Sequence, residues 1–247
     1  MGNAVVHFEI GGPDDAPLVA FYKELFGWNL QPFAGGGYTL IDTNSGGGIN
    51  GGIGKSQTGE PWSTFYVEAG DLQAVLDKAE SLGGKTVMPV TDFGGAVMIA
   101  MFNDPDGLLV GIVKAAAPAQ DQPPGPSAGT GEPVDWFEVQ GSDAGRTQRF
   151  YTELFGWTIG GEDAGSIPGY GIVDTGAGRG IQGGLGSSEE NHWATIYAVV
   201  PDVEQTLAKA ESLGGTRVYG PMAVGDQMQT GAFRDPAGNV FGVYHRG

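Results

Sequence analysis

The sequence predicts an α+β fold of four βαβββ modules, two to a domain, in two tandem domains. Three observations carry that reading. The first is repetition. Phe21-Tyr22-Lys23-Glu24-Leu25-Phe26-Gly27-Trp28 returns as Phe150-Tyr151-Thr152-Glu153-Leu154-Phe155-Gly156-Trp157. Ala79-Glu80-Ser81-Leu82-Gly83-Gly84 returns unchanged as Ala210-Glu211-Ser212-Leu213-Gly214-Gly215, and Asp104-Pro105-Asp106-Gly107 returns as Asp235-Pro236-Ala237-Gly238. The offsets, 129, 131 and 131 residues, are too long for a solenoid unit and mark a duplicated domain. The second observation is a fixed order of apolar periods within each half. The third is a seam, Ala115 to Gly131, rich in proline, glycine and small residues, which reads as an extended linker between domains at 1–114 and 132–247.

The elements of the first domain follow in order. Val5 to Ile10 reads as a strand. Leu18, Phe21, Leu25 and Phe26 recur at helical spacing, so a helix covers about 14–26 and stops at Gly27. Short strand-like runs follow near 29–33, 38–42 and 49–54. The series then repeats. Ser63 to Val67 is a strand, and Asp71 caps a helix whose apolar residues are Leu72, Val75, Leu76, Ala79 and Leu82. Gly83-Gly84 ends it, because glycine accepts the left-handed conformation there. Strands follow near 85–90, 96–102 and 108–113, and the second domain follows suit. Gly51-Gly52 and Gly183-Gly184 fall in matching short strands, where the expectation is a bulge that curves the sheet.

Composition narrows the function classes. The chain has 247 residues, 40% of them hydrophobic, enough for a modest core in each half. It has no run of 18 apolar residues and no basic-then-apolar leader, so neither a membrane span nor a signal peptide is expected and the cytoplasm is the default location. With no cysteine there is no disulfide, thiolate metal site or cysteine nucleophile. The net charge of −17 repels phosphate backbones and anionic lipid, so neither nucleic acid nor a membrane surface is an expected partner, and it weakly favours a cationic ligand. Gly46-Gly47-Gly48 leads into a strand, the wrong context for a phosphate loop, and Gly-x-Ser-x-Gly is absent.

Paired βαβββ modules with a Phe-Tyr-x-x-Leu-Phe-Gly-Trp helix end and a late Asp-Pro-x-Gly turn resemble the vicinal oxygen chelate superfamily. That superfamily includes glyoxalase I, bleomycin-resistance proteins, fosfomycin-resistance enzymes and extradiol dioxygenases. The tandem arrangement is most similar to its two-domain glyoxalase-like antigen type. The resemblance covers nearly the whole chain outside the linker. It implies that each module pair curls into a cup, and that the two domains pack as subunits of single-domain relatives do, giving a monomer that is an intrachain pseudo-dimer.

In metal-dependent members the resemblance places His, Gln or Glu ligands on the first, fourth, fifth and eighth strands of each cup. Those positions fall here on His7, Asn50, Trp62 and Gly111, and on Trp136, Gln182, Trp193 and Gly242. His7 is the one good metal candidate. Zinc sites need about three protein ligands, so Zn, Ni, Mn or Fe is disfavoured and no cofactor is expected. Strand alternation sets Glu9 beside His7 and Glu138 beside Trp136. The family facing then adds Trp62, Thr64, Tyr66 and Gly111 to one cup, and Trp193, Thr195, Tyr197, Gly242 and Tyr244 to the other.

An aromatic cavity with one carboxylate suits a flat or amine-bearing organic molecule. The leading expectation is a metal-independent protein that sequesters a small molecule, of the resistance type. One alternative is a glyoxalase-like lyase or isomerase, or a dioxygenase, which uses either Glu9 or Glu138 as base or a divalent metal held with His7. Another is a secreted antigen or interaction protein.

Overall fold

The computed structural model describes residues 2–33, 36–56, 58–114, 125–160 and 168–247. The expected linker falls partly outside them; its described part, 125–131, holds neither helix nor strand. The first module is β1 (Val5–Gly12), α1 (Asp15–Phe26), β2 (Asn29–Pro32), β3 (Tyr38–Asp42) and β4 (Asn50–Lys55). The second is β5 (Trp62–Ala69), α2 (Leu72–Ser81), β6 (Lys85–Asp92), β7 (Met98–Asn103) and β8 (Leu109–Lys114). The third is β9 (Val134–Gly141), α3 (Ala144–Phe155), β10 (Thr158–Gly160), β11 (Gly171–Asp174) and β12 (Gln182–Ser187). The fourth is β13 (Trp193–Val199), α4 (Val203–Ser212), β14 (Thr216–Val224), β15 (Met228–Arg234) and β16 (Val240–Arg246).

Local chemistry sets the helix ends. Asp14, Asp71, Asp143 and Asp202 each cap a helix by accepting a backbone N–H in its first turn. Both α1 and α3 end on a glycine in the left-handed region, Gly27 (φ 68°) and Gly156 (φ 70°). The strands form two eight-stranded sheets, β2-β3-β4-β1-β5-β8-β7-β6 and β10-β11-β12-β9-β13-β16-β15-β14. Each sheet is therefore made by two consecutive modules.

Compactness groups the modules differently. One compact unit comprises Met1–Val6, Thr64–Pro124 and Phe137–Ala194, most of the second and third modules. The other comprises His7–Ser63, Gly125–Trp136 and Thr195–Gly247, most of the first and fourth.

The repeated motifs explain the grouping. In the first–fourth unit, Phe21 packs on Phe233 at 5.6 Å and Phe26 on Phe241 at 5.4 Å. Tyr22 lies flat on Trp28, 5.8 Å away and 4° from parallel. The buried Tyr22 hydroxyl donates to Asp235 Oδ2 at 3.0 Å, while Asp235 Oδ1 accepts the N–H groups of Ala237, Gly238 and Asn239. The second–third unit repeats the arrangement. Phe150 packs on Phe102, Tyr151 stacks on Trp157, and the Tyr151 hydroxyl donates to Asp104 Oδ2 at 3.1 Å. The helix motif of one module thus locks onto the Asp-Pro turn of another. The two tryptophans close it: Trp28 donates its indole N–H to the Glu132 carbonyl and Trp157 to that of Asn3, each at 2.8 Å.

Burial outweighs these bonds and raises the carboxyl pKa of Asp104 and Asp235 above the ordinary 3.8. The stability these two groups contribute is complete below that value and is lost as pH rises through the raised one.

No bulge falls at Gly51-Gly52. The β1–β4 ladder runs without a break from His7↔Asn50 to Gly12↔Lys55. The register shifts lie instead in the β6–β7 and β14–β15 pairs. Gly51 and Gly52 make room for aromatic side chains on opposite faces. A Cβ on Gly51 would sit 2.5 Å from the Phe8 ring, and one on Gly52 2.0 Å from the Tyr38 hydroxyl. Gly183 and Gly184 stand in the same relation to Phe137 and Tyr170.

Gly183→Ala would drive a methyl to within 2.4 Å of the fully buried Phe137 ring, which has no room to withdraw. The expected cost is about 1–3 kcal/mol, read as a lower urea midpoint at unchanged slope. An unchanged midpoint would show that Phe137 does not need the glycine.

Candidate functional site

The carboxylates lie on strand faces cleared by glycine. In the first–fourth unit, His7, Glu9 and Gly11 alternate along β1 and pair in register with Asn50, Gly52 and Gly54 of β4. Tyr38 pairs with Gly54 across β3–β4 and lies over the side-chain-free strip. Its hydroxyl is 3.0 Å from His7 Nε2 and also hydrogen-bonds Glu9.

The protonation states follow. Burial, then the charge and hydrogen bond of Glu9, raise the Tyr38 pKa well above its ordinary value, so the ring stays a phenol. A phenol has one proton to give. With Glu9 as acceptor, His7 Nε2 must be the donor, and the chain reads His7 N–H to Tyr38 O–H to Glu9 carboxylate. Desolvation lowers the His7 pKa to about 4, so the imidazole is neutral near pH 7.

The second–third unit carries the corresponding group with different chemistry. Glu138, nearly buried, accepts from the Tyr170 hydroxyl and from the Trp193 indole N–H, both at 3.0 Å. Where the first module has Gly11, the third has Gln140, whose amide reaches over Gly186. In the first module the space above Gly11 and Gly54 is taken by the Trp62 ring. Trp136, in the position of His7, is half-buried on the Glu138 face of β9.

The other expected residues are placed as follows. Tyr66 covers Gly111 and Tyr197 covers Gly242: a Cβ there would lie 2.4 and 2.1 Å from the rings. The room that a glycine leaves at the eighth-strand position is thus filled by tyrosine. Tyr66 reaches the Met101 sulfur at 3.9 Å, and Tyr197 meets the Tyr219 hydroxyl at 3.1 Å. Thr64 and Thr195 donate their hydroxyls to the carbonyls of Leu109 and Val240, which ties them to the neighbouring strand. Tyr244 donates to Asp135, which alternates away from the Glu138 face of β9. Sequence reasoning missed Tyr38, Tyr170 and Tyr219. The first two carried a signal, since each stands four residues before the repeated Asp-Thr, Asp42-Thr43 and Asp174-Thr175.

Two eight-stranded sheets of paired βαβββ modules, each with a carboxylate among aromatic rings, define a tandem protein of the vicinal oxygen chelate class. Residues 4–112 match the family model "Glyoxalase/Bleomycin resistance protein/Dioxygenase superfamily" and residues 136–244 match "Glyoxalase-like domain". The chain belongs to this superfamily, with two such domains in tandem. It is 28% identical to "Putative glyoxylase CFP32" of Mycobacterium tuberculosis (strain CDC 1551 / Oshkosh), over 93% of this chain and 90% of that one. It is 26% identical to "Anthracycline biosynthesis protein DauV" of Streptomyces sp. (strain C5), over 87% and 83%. Among solved structures it shares the fold of the Mn(II)-bound glyoxalase from Novosphingobium aromaticivorans (TM-score 0.64, 14% identity, 99% of this chain and 82% of that one). It likewise shares that of the 2,3-dioxygenase LapB from Pseudomonas sp. KL28 (TM-score 0.65, 14% identity, 100% and 94%).

Among the described residues, His7 is the one strong donor at the expected ligand positions. Among the described residues no three His, Cys, Asp or Glu side chains are grouped to hold a metal. Asn50 Oδ1 already accepts the Thr43 N–H at 3.0 Å, and Gln182 is exposed. No helix of the described residues is long and apolar enough to cross a membrane.

His7 sets a pH dependence with a definite sign. Its folded pKa, about 4, lies below the ordinary 6.5, so the unfolded chain binds more protons between those values. Its contribution is present above pH 6.5 and is lost on acidification to 4, up to about 3 kcal/mol in all. Urea titrations of the wild type and His7→Gln across this range should converge toward pH 4. Parallel curves would mean that the imidazole titrates normally.

Proposed function

We propose that the protein binds a small planar organic molecule, best one bearing an amine, through Glu9 and Glu138 and without a metal ion. The observation that carries the reading is Glu138, a nearly buried carboxylate held between a phenol and an indole. Both donors fix its orientation, and the rings that supply them offer flat apolar surface beside the charge. An ammonium group on an aromatic ligand would meet the carboxylate and the ring faces together. The net charge of −17 concentrates such a cation near the protein. The kinship with a Streptomyces protein named for anthracycline biosynthesis supports an aromatic ligand, and sequestration of the resistance type is the role this binding would serve.

A second reading rests on the first module. The His7–Tyr38–Glu9 chain is a hydrogen-bonded path from an imidazole to a carboxylate, suited to moving a proton. With Glu9 as base it would support a glyoxalase-like lyase or isomerase, in keeping with the glyoxylase name of the mycobacterial relative. Methylglyoxal turnover lost in Glu9→Gln and in His7→Ala would favour it; turnover indifferent to both, and to Glu138→Gln, would remove it.

A thermal-shift screen of amine-bearing aromatics tests the binding reading. A ligand at a hundred times its Kd adds about 2.7 kcal/mol, a Tm rise of roughly 5–10 °C for a chain of this size. Glu138→Gln should weaken binding at the third-module group by about ten- to a hundredfold. Amines that bind the Gln variant as tightly as wild type would sink the assignment.

A further inference from the structure

We propose that the Trp62 indole N–H is a ligand-reading donor, and that the first-module group takes a planar ligand with a carbonyl-type oxygen at its ring edge. Trp62 Nε1 is buried and has no hydrogen-bond partner. Among the described residues only Thr175 Oγ1 shares that state. Native proteins satisfy nearly all such atoms, because a buried donor without an acceptor carries its full desolvation penalty. The matching indole, Trp193, spends its N–H on Glu138 at 3.0 Å.

One substitution between the repeats accounts for the difference. A Cβ on Gly11 would lie 1.9 Å from Trp62 Cζ3, so only glycine at this position admits the ring. The benzenoid edge settles over Gly11 and Gly54, where Cη2 and Cζ2 would lie 3.0 and 3.1 Å from a Cβ on Gly54. Gln140 occupies the corresponding place in the third module. Trp62 therefore keeps a donor in reserve that Trp193 has committed.

The chemistry of the acceptor follows. An N–H donor repels a cationic group and accepts nothing, so it selects a neutral or partly negative oxygen. The Tyr38 ring also reaches the Gly54 position, 3.7 Å from a Cβ built there, so the indole stands among aromatic side chains that suit a planar ligand. Glu9 supplies the carboxylate for an amine on the same molecule. The inference rests on the binding reading above and adds that the two repeats read different ligand features.

Two probes of equal ring area separate the two ideas: 2-(aminomethyl)anthraquinone and 2-(aminomethyl)anthracene. Calorimetric titration uses Glu138→Gln protein, which on that reading keeps only the first-module group. The quinone is expected to bind about tenfold more tightly than the anthracene. Trp62→Phe, which keeps a ring and removes the N–H, should abolish that preference, the quinone losing more affinity than the anthracene. In the protein with Trp62 intact, the indole N–H resonance of Trp62 should shift on adding the quinone and not the anthracene.

Equal binding of both probes before and after Trp62→Phe would overturn the inference and leave the binding reading standing. Equal loss of both probes in Trp62→Phe would also overturn it, since Trp62 would then act by packing alone. If neither probe binds wild type or Glu138→Gln, the binding reading falls and the inference falls with it.

Discussion

The hydrogen bond from a buried tyrosine on one module to the aspartate of an Asp-Pro turn on another is the constraint on which each compact unit depends. Tyr22–Asp235 and Tyr151–Asp104 lie at the centre of two aromatic clusters, and each aspartate also gathers the N–H groups of its own turn. A carboxylate buried among phenylalanine and tryptophan rings is tolerable only if its oxygens are satisfied. The turn and the tyrosine together do that. The helix is thereby fixed on the partner module in one orientation, because stacking of Tyr22 on Trp28 and of Tyr151 on Trp157 leaves each hydroxyl one direction in which to point.

Glycine does the complementary work on the sheets. Residues 51, 52, 111, 183, 184 and 242 each stand beneath an aromatic ring that a methyl group would displace. Close packing of rings directly on backbone brings Tyr38 and Tyr170 within reach of Glu9 and Glu138. The same feature that densifies the core thus builds the polar groups of the candidate site. It also accounts for strands that look weak by propensity, since their side chains are supplied by neighbours.

Duplication then allowed divergence. Equivalent frames hold His7 in one copy and Trp136 in the other, Gly11 in one and Gln140 in the other. The first copy carries a neutral imidazole in a proton-bearing chain, and the second a carboxylate pinned by two ring donors. Low local dielectric strengthens both arrangements, and small changes of residue redirect the whole hydrogen-bond pattern because each donor has few acceptors to choose from.

Much of this was legible in the residues. The order of strands and helices, the Asp71 cap, the glycine stops and the duplication depend on local stereochemistry and on repeats, which a linear chain displays. So was the placing of Glu9 beside His7, since alternation along one strand needs no knowledge of its neighbours. Three things were decided only by tertiary structure. Modules one and four, and two and three, make the compact units, because a helix face can be satisfied by any apolar surface and the sequence does not name which. The glycine pairs clear space for rings, and Gly51-Gly52 carries no bulge, because an absent side chain shows only what could come near. Trp62 and Trp193, identical in motif, differ in whether the indole N–H is spent, because residue type fixes a donor and only the packed neighbourhood fixes its acceptor.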